Sequence, residues 1–469
     1  MIPGGLPLLG HAGTLLRDPL GFLERVYPFG EVATVRLGVK PACLVNGSEP
    51  LRRILVADAA SYDKGFQFDQ LRTLIGDGVG TSGGAKHRRQ RRLMRPAFDH
   101  RHVEGYVASM VRCATQTTDR WRRLPDPARI DAGQEMRRLA MTAISRAMFG
   151  TGAVGIGAAD LGAEGSPDAA AEREVLGSLP ILLGGVGRRA LLPLGVINKA
   201  PTPGNLRFNR AQRALHAMAD RMVADHRARL SGQGADPGGA AGLGPDPDAA
   251  PTLLDTLLAA VDEDGAGMTD AQAHDEIMTV LLAGTETSAG TLAWTLHVLA
   301  ADRELQFAVQ QEADTLLGGR APAAADLGSL PLTRRVVSEV LRCYPPSYLL
   351  GRRPIVDVEI AGVPVPAGTQ VLLNFYGLHH DPQAYPDPSR FDPDRWLNPD
   401  PEVLRTHYLP FGLGLHGCVG DGFAWSLILS TVAVIASRYT VRPVPGSVVR
   451  PVARTTLHPG VVPLLLEPR

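Results

Sequence analysis

The chain has 469 residues, of which 44% are hydrophobic, and its 48 Lys and Arg residues are balanced by 48 Asp and Glu residues. The balanced charge argues against a nucleic-acid-binding or membrane-surface protein, and no shift in composition divides the chain, so we expect one large domain over residues 1–469. Four cysteines without a closely spaced pair favour a reducing compartment and argue against a zinc site.

The N-terminal segment MIPGGLPLLG lacks the charged start, the apolar core and the cleavage site of a signal peptide. The most apolar stretch, residues 176–197, is interrupted by glycines and arginines and does not predict a membrane span. We therefore expect a cytoplasmic protein.

The secondary structure predicted along the chain is mainly helical with small β-sheets. A hairpin is predicted near the N-terminus from Val32–Leu37 and residues 42–45, and strand patterns return at 356–360, at 370–375 and in the C-terminal tail. Apolar residues at helical spacing predict helical structure at residues 88–149, 205–230, 303–317 and 333–344. Residues 231–251, rich in Gly, Asp and Pro, predict a mobile loop.

A helix of about 30 residues is predicted from its N-cap Thr269 to the neighbourhood of Ala300. Its centre, Ala-Gly-Thr-Glu-Thr-Ser at 283–288, is a poor choice for a helix interior. Thr287 can donate a hydrogen bond to the carbonyl oxygen of Ala283 and bend or widen the helix. A groove with a hydroxyl and a carboxylate beside it would suit O₂ activation at a metal; a flexible kink packed against the core is the alternative.

Near the C-terminus the sequence reads Phe411-Gly-Leu-Gly-Leu-His-Gly-Cys418-Val-Gly and continues into an apolar run. This pattern predicts one cysteine in a glycine-rich loop at the start of a helix, where backbone N–H groups can point at the sulfur. The helix N-terminus would stabilise a thiolate able to bind iron. A lone cysteine is, however, more often an inert buried residue.

Two charged motifs precede this loop. Glu339 and Arg342 share a helical face among valines, and Arg395 could complete a buried network with them, although such pairs usually lie on the surface. His87 and Arg91 share a face of a basic helix and could bind two carboxylates of a ligand. A nucleic-acid patch is the alternative for that helix, and the neutral chain disfavours it.

Together these motifs resemble the cytochrome P-450 family of haem-thiolate monooxygenases, over essentially the whole chain and in the family's order. The resemblance implies the P-450 fold, haem b as cofactor and Cys418 as the iron ligand, and the one departure is Leu415, where the family often has proline. It implies Glu286 and Thr287 as the catalytic acid–alcohol pair. The structural charge triad is then Glu339, Arg342 and Arg395, and the haem-binding residues are Cys418, His87, Arg91, Arg352 (rather than Arg353), His416, Phe411, Gly412, Ala283 and Gly420.

The resemblance also implies a substrate pocket, with walls formed by Phe66, Phe68, Val79, Leu179, Leu182, Leu282, Ala283, Tyr348 and Leu349. These side chains are apolar, which favours a hydrocarbon-like substrate, although several of them could simply belong to the core. The HRRQRR helix and the Leu-Gly-Arg-Arg run are similar to actinobacterial members that oxidise cyclic terpenes in secondary metabolism. Polyketide, steroid and fatty-acid hydroxylation remain open, as does a haem-based sensor or ligand carrier.

Bacterial members of the family take electrons from NAD(P)H through a ferredoxin reductase and a small ferredoxin. The resemblance implies these two partners for this chain, with Arg88, Arg92 and Arg95 facing the negative charge of the ferredoxin. A peroxide-driven peroxygenase, an isomerase or a dehydratase would be expected to lack the pair formed by Glu286 and Thr287.

Overall fold

The structure is a computed structural model and describes residues 2–6, 8–149, 200–230 and 252–469, together with positions 174, 177, 178, 181, 182 and 185. Its helices are, in chain order, α1 (Ala12–Arg17), α2 (Pro19–Val26), α3 (Ser48–Leu55), α4 (Phe66–Ile75), α5 (Gly84–Met94), α6 (His100–Trp121), α7 (Ala132–Phe149), α8 (Pro203–Leu230), α9 (Leu253–Ala259), α10 (Asp270–Ala301), α11 (Arg303–Leu317), α12 (Pro331–Cys343), α13 (Phe375–His379), α14 (Pro401–Thr406) and α15 (Asp421–Arg438). The prediction for 231–251 lies outside the described residues.

The strands are β1 (Val32–Leu37), β2 (Lys40–Val45), β3 (Tyr62–Lys64), β4 (Ala128–Asp131), β5 (Leu350–Pro354), β6 (Val358–Ile360), β7 (Val363–Val365), β8 (Gln370–Leu373), β9 (Tyr439–Pro443), β10 (Val452–Ala453), β11 (Leu457–His458) and β12 (Pro463–Pro468). The largest sheet has the order β1-β2-β8-β5-β3, and a second sheet has the order β4-β12-β9. The fold is thus mainly helical with small sheets, as the sequence predicts.

Long-range contacts explain where the sequence-based boundaries were wrong. The region 88–149 is not continuously helical, because Pro96 lies in a 3-10 turn after α5 and β4 interrupts the chain before α7. β4 exists because it pairs with the C-terminal strand β12, which local sequence does not reveal. β5 was also missed, since its sequence Leu-Gly-Arg-Arg-Pro has no apolar alternation and is held between β3 and β8.

The long helix α10 runs through the core and was predicted almost to the residue. The Thr269 side chain accepts a hydrogen bond from the N–H of Gln272, whose own side chain accepts from the N–H of Thr269, a capping box that starts the helix. At its centre Gly284 allows α7 to approach closely, because an added Cβ would lie 3.0 Å from Ile144 Cδ1. None of the described helices is long and apolar enough to cross a membrane.

Glu339 on α12 is the centre of a buried ion network. Both of its oxygens accept from Arg342 at 2.8 and 2.9 Å, and Arg395 Nε donates to Oε1 at 3.3 Å. The side chains of Glu339 and Arg342 are both fully buried, and Trp396 Nε1 donates to Oε2 of Glu339. The structure thus brings the three residues of the expected triad together and satisfies the carboxylate fully, which a buried charge requires.

We expect the substitution Glu339→Gln to lower the free energy of unfolding by about 3–5 kcal/mol, because it leaves a buried guanidinium without its counter-charge. Urea unfolding measures this loss. The matched control is Glu402→Gln, which breaks an exposed pair with Arg405 and is expected to change nothing measurable. Equal losses in the two variants would contradict the structural role given to the network.

Candidate active site

A cavity of about 330 Å³ lies between α10 and the loop that leads into α15. One face of α10 forms a wall, with residues at helical spacing: Thr279, Val280, Ala283, Gly284, Thr287, Ser288 and Thr291. Cys418 and the loop around it form the opposite wall, and aromatic or aliphatic side chains close the sides. No Asp, Glu, Lys or Arg among the described residues lines this cavity, so it suits an apolar molecule.

The loop before α15 presents the Cys418 sulfur to this cavity. The N–H of Cys418 donates to the carbonyl oxygen of Phe411 at 2.8 Å, and Gly412 and Gly414 take positive φ angles. An added Cβ on Gly414 would lie 2.3 Å from the carbonyl oxygen of Leu55, so only glycine fits there. Protein surrounds the thiol except toward the cavity, and burial raises its pKa to about 11, while the N–H of Gly420 acts in the opposite direction. A bound cation would reverse the effect of burial and hold the sulfur as a thiolate.

Five basic side chains lie together beside this loop: His87, His416, Lys64, Arg352 and Arg91. The rings of His87 and His416 have centroids 4.2 Å apart, and Nδ1 of each is buried without a hydrogen-bond partner. Burial, followed by the charge of neighbouring cationic groups, lowers the pKa of both rings to about 3, so both are neutral at pH 7. Arg91 donates to the carbonyl oxygen of Gly417 at 2.6 Å and so also braces the cysteine loop.

Lys64 and Arg352 are the most unusual members of this cationic cluster. They lie opposite each other on β3 and β5, where like charges repel, and their exposures are only 5% and 4%. Burial lowers the pKa of Lys64 to about 7 and that of Arg352 to about 10. Within the described ranges no carboxylate lies at ion-pair distance from either of them. Lys64 instead donates to the carbonyl oxygens of Val79 and Gly80, at 2.7 and 2.8 Å.

Buried positive charge without a counter-charge indicates an anionic ligand. The two propionates of haem would supply two carboxylates to the cationic cluster and to the unpaired imidazole nitrogens. The flat porphyrin would occupy the apolar cavity between α10 and the Cys418 loop, with its iron toward the sulfur. The residues present therefore fit haem.

The catalytic pair expected from sequence is divided between two faces of α10. Thr287 lines the cavity, and its Oγ1 donates to the carbonyl oxygen of Ala283 at 2.7 Å, as the sequence predicts. Glu286 faces α7 instead, where Arg137 Nε donates to Oε1 at 2.8 Å, and Glu286 is only 4% exposed. Successive helical residues are turned by about 100°, and that turn places Glu286 on the face that packs against α7.

The other sequence-predicted residues separate into those that border the cavity and those that do not. Among the described residues the cavity lining includes these predicted positions: Phe68, Val79, Ala283, Phe411, Gly412, His416, Cys418 and Gly420. It does not include Phe66, Leu182, Leu282, Tyr348 or Leu349.

These residues do not line the cavity because their side chains pack in other parts of the protein. Leu182 and Leu282 are buried in the main core, and Tyr348 and Leu349 belong to a second apolar cluster near the N-terminus. The Tyr348 hydroxyl donates to the carbonyl oxygen of Arg454 at 2.7 Å. Phe66 begins α4 two residues before Phe68, and two helical positions turn a side chain by about 200°, away from the face that lines the cavity. Leu179 lies outside the described residues.

The choice between two adjacent arginines follows the strand alternation of β5. Arg352 is buried next to the histidines, whereas Arg353 points to the other side and pairs with Asp63 and Asp69. Lys64 was missed, because no sequence motif marks it. Its pairing with Arg352 across the sheet is the signal that identifies it, and that pairing becomes visible only in the fold.

We expect Lys64→Met to have opposite effects on the haem-free and haem-bound protein. Removing a buried, unpaired cation should raise the unfolding free energy of the haem-free protein, because the repulsion from Arg352 disappears. Haem affinity should fall about tenfold with the loss of a charge-assisted hydrogen bond.

The rate of haem transfer to an excess of haem-free myoglobin measures the affinity change, and urea unfolding measures the stability change. Lys40→Met serves as the control, because Lys40 lies exposed in the same sheet. Unchanged haem transfer in Lys64→Met would show that Lys64 does not contact the bound group.

Comparison with known proteins identifies the family. The family model for cytochrome P450 matches residues 2–464. A protein of Streptomyces melanosporofaciens named cyclooctat-9-en-7-ol 5-monooxygenase is 39% identical over 470 residues, covering 100% of this chain and 95% of the relative. The cyclooctatin synthase of the same organism is 38% identical, with the same two coverages. The pentalenene oxygenase of Streptomyces avermitilis is 36% identical, covering 100% of this chain and 97% of the relative. The chain therefore belongs to the cytochrome P450 family and is an oxidoreductase of its monooxygenase class.

Proposed function

We propose that this monooxygenase inserts one oxygen atom from O₂ into a C–H bond of a cyclic terpene. The observation that carries the proposal is the apolar cavity facing the Cys418 thiol, in which no Asp, Glu, Lys or Arg of the described chain offers an anchor for a charged substrate. The names of the three similar proteins agree with it, since they refer to cyclic alkenes or alcohols.

The hydroxyls in the cavity restrict the substrate further. Thr279, Thr287 and Thr291 are occupied by hydrogen bonds to carbonyl oxygens within α10. The alcohol groups of the cavity are thus largely satisfied by the protein, and a substrate rich in polar groups would lose its hydrogen bonds to water without replacement. A rigid hydrocarbon skeleton with few polar groups avoids that cost.

The substrate class is tested by titrating the ferric, haem-loaded protein with a cyclic sesquiterpene, a cyclic diterpene, a steroid and a fatty acid. We expect a low-to-high-spin change in the absorption spectrum with a cyclic terpene, because an apolar ligand excludes water from the iron. A change only with the steroid or the fatty acid would reject the terpene proposal and leave the enzyme class intact. Tight binding without NAD(P)H-dependent turnover would favour a sensor or carrier.

In the proposed mechanism the chain's own residues hold the cofactor and the substrate. Cys418 would be the iron ligand, and Lys64, His87, Arg352 and His416 would hold the propionates. When bound, a thiolate-ligated haem supplies the activation of O₂. The apolar walls position the substrate beside it and exclude water.

Proton delivery is the remaining task, and we assign it to Thr287 with Glu286 behind it. Thr287 Oγ1 is a hydroxyl of α10 in the cavity, next in sequence to Glu286, and its lone pairs are free to accept a hydrogen bond while it donates to Ala283. Glu286 can replenish that proton only after its carboxylate leaves Arg137, since the ion pair holds it outside the cavity. Arg137 is therefore a positioning residue for the acid.

We expect Thr287→Ala to uncouple the enzyme: NADH and O₂ consumption should continue while the share of electrons recovered in product falls about tenfold. Thr295→Ala is the matched control, because Thr295 makes the same hydrogen bond to the carbonyl four residues earlier and lies outside the cavity. The ratio of product to NADH consumed is the measurement. Equal coupling in both variants would remove Thr287 from the mechanism.

We further propose that a ferredoxin, reduced from NAD(P)H by its reductase, supplies the electrons. The basic helix α5 contacts the cysteine loop through Arg91, so its exposed side chains lie near the iron ligand. Arg88 and Arg95 are exposed and have no carboxylate partner in the described part of the chain, whereas Arg92 pairs with Glu263. Two free positive charges suit an acidic partner. A cytoplasmic location fits this partner and the four free cysteines.

We expect the double substitution of Arg88 and Arg95 by Glu to slow reduction by ferredoxin at least tenfold at low salt, with a smaller effect at high salt. Stopped-flow reduction in carbon monoxide measures the rate. The double substitution of Arg17 and Arg303 by Glu controls for net charge, because both are exposed and lie on α1 and α11. If all variants are reduced at the same rate, the partner docks elsewhere.

A further inference from the structure

Three consecutive residues of α10 connect this helix to the elements that cover one side of the cavity. His274 contacts His216 on α8, and the Asp275 carboxylate accepts from the N–H of Asp77 at 2.9 Å. Glu276 accepts from the N–H of Val79 with both oxygens, at 2.8 and 3.1 Å. Since Val79 lines the cavity, this part of α10 sets the position of a cavity wall.

α4 belongs to the same wall, because Phe68 also lines the cavity. The end of α4 is held by α8 through two hydrogen bonds: His216 Nε2 lies 2.9 Å from the carbonyl oxygen of Leu74, and Gln212 Nε2 donates to that of Thr73 at 3.0 Å. His216 thus contacts α4 with one ring nitrogen and α10 with the other. None of these contacts involves Cys418, but the carbonyl oxygens of Val79 and Gly80 accept from Lys64, which is assigned to haem.

The carbonyl of Leu74 fixes the protonation of the histidine pair. A carbonyl oxygen can only accept, so His216 Nε2 must carry a proton, and in the neutral ring Nδ1 is then an acceptor. His274 Nε2, 3.2 Å from that Nδ1, must be the donor. The two rings stack with centroids 5.0 Å apart and an angle of 11°. The observed geometry therefore requires an unprotonated His216 Nδ1.

Charges around the pair favour a proton on His274 and disfavour a second one on His216. His274 lies 3.4 Å from Asp275 and 3.5 Å from Asp220 of α8, and the bond to Asp275 raises its pKa. Burial, followed by the charge of His274, lowers the pKa of His216. The other charged groups around the two histidines have partners of their own. Asp77 forms ion pairs with Arg72 and Lys86, Glu276 accepts from the N–H of Val79, and Lys64 donates to the carbonyl oxygens of Val79 and Gly80.

We propose that His216 and His274 form a latch, operated by a single proton, that holds α8, and with it the end of α4, against α10 and keeps this side of the cavity closed. With one added proton on His216, two N–H groups face each other at 3.2 Å and the rings repel. The contact between α8 and α10 is then lost, and the end of α4 moves with α8, because His216 Nε2–H still donates to Leu74. The contacts of Asp275 and Glu276 to the N–H groups of Asp77 and Val79 remain. Acidification opens the wall, so the latch controls access to the cavity whatever molecule binds there.

The latch has a limited pH window. His216 stabilises the closed wall when its ring is neutral, and this stabilisation is lost as the pH falls through its lowered pKa. His274 stabilises the closed wall when its ring is charged, and this stabilisation is lost as the pH rises through its raised pKa. The closed wall is therefore most stable between these two values, on either side of the ordinary histidine pKa of about 6.5.

Hydrogen exchange of the haem-loaded protein, followed by mass spectrometry of peptides from residues 66–80, tests the proposal without any turnover. After correction for the intrinsic exchange rate, protection of this segment should fall about tenfold between about pH 7 and about pH 5.5. His216→Gln and His274→Gln should each remove this pH dependence. The glutamine at 216 keeps a donor for the Leu74 carbonyl, and His274→Gln carries the same prediction if the first variant fails to fold.

Glu276→Gln is the matched control, because burial raises the pKa of Glu276 to about 7 and its carboxylate accepts a hydrogen bond from the N–H of Val79 in the same wall. The latch requires that this variant keep the pH dependence of the wild type. Loss of pH dependence in Glu276→Gln with retention in both histidine variants would assign the switch to Glu276 and overturn the proposal. Protection that does not vary with pH in the wild type would also overturn it.

Discussion

Buried positive charge without a counter-charge is the constraint on which this site depends. Lys64 and Arg352 face each other across two strands, and two neutral histidines beside them have unpaired nitrogens. Such an arrangement is unfavourable in the protein alone and becomes favourable when a dianion is bound. The chain would therefore gain stability on binding such a dianion, and the two propionates of haem would supply the negative charge that the sheet and α5 lack.

Side chains at different positions and on different faces of α10 have different functions. Its capped start carries His274, Asp275 and Glu276, which hold the side wall of the cavity. Its centre turns Thr287 toward the cavity and Glu286 toward Arg137. A helix that crosses the core can couple these tasks because its backbone is rigid, while each side chain acts through a different neighbour.

The sequence alone predicts an element or a contact correctly where the interactions that determine it are local. The start of α10 follows from Thr269 and Gln272, three residues apart, and the Thr287 hydrogen bond follows from its distance to Ala283. It was insufficient where partners come from distant segments. Lys64 has no meaning without Arg352 on a neighbouring strand, and Tyr348 looks like a pocket residue until its hydroxyl is seen to bind Arg454. Residue types and spacing thus locate the chemistry, and the fold decides which side chains reach it.

Iron ligation by the Cys418 thiolate is tested most directly by the absorption spectrum of the ferrous carbon monoxide complex. We expect the strongly red-shifted Soret band of a thiolate-ligated haem in the wild type, its loss in Cys418→Ser and its retention in Cys343→Ser, since Cys343 is buried away from the cavity. A wild-type spectrum typical of imidazole ligation would contradict ligation by Cys418, because His87 or His416 would then hold the iron.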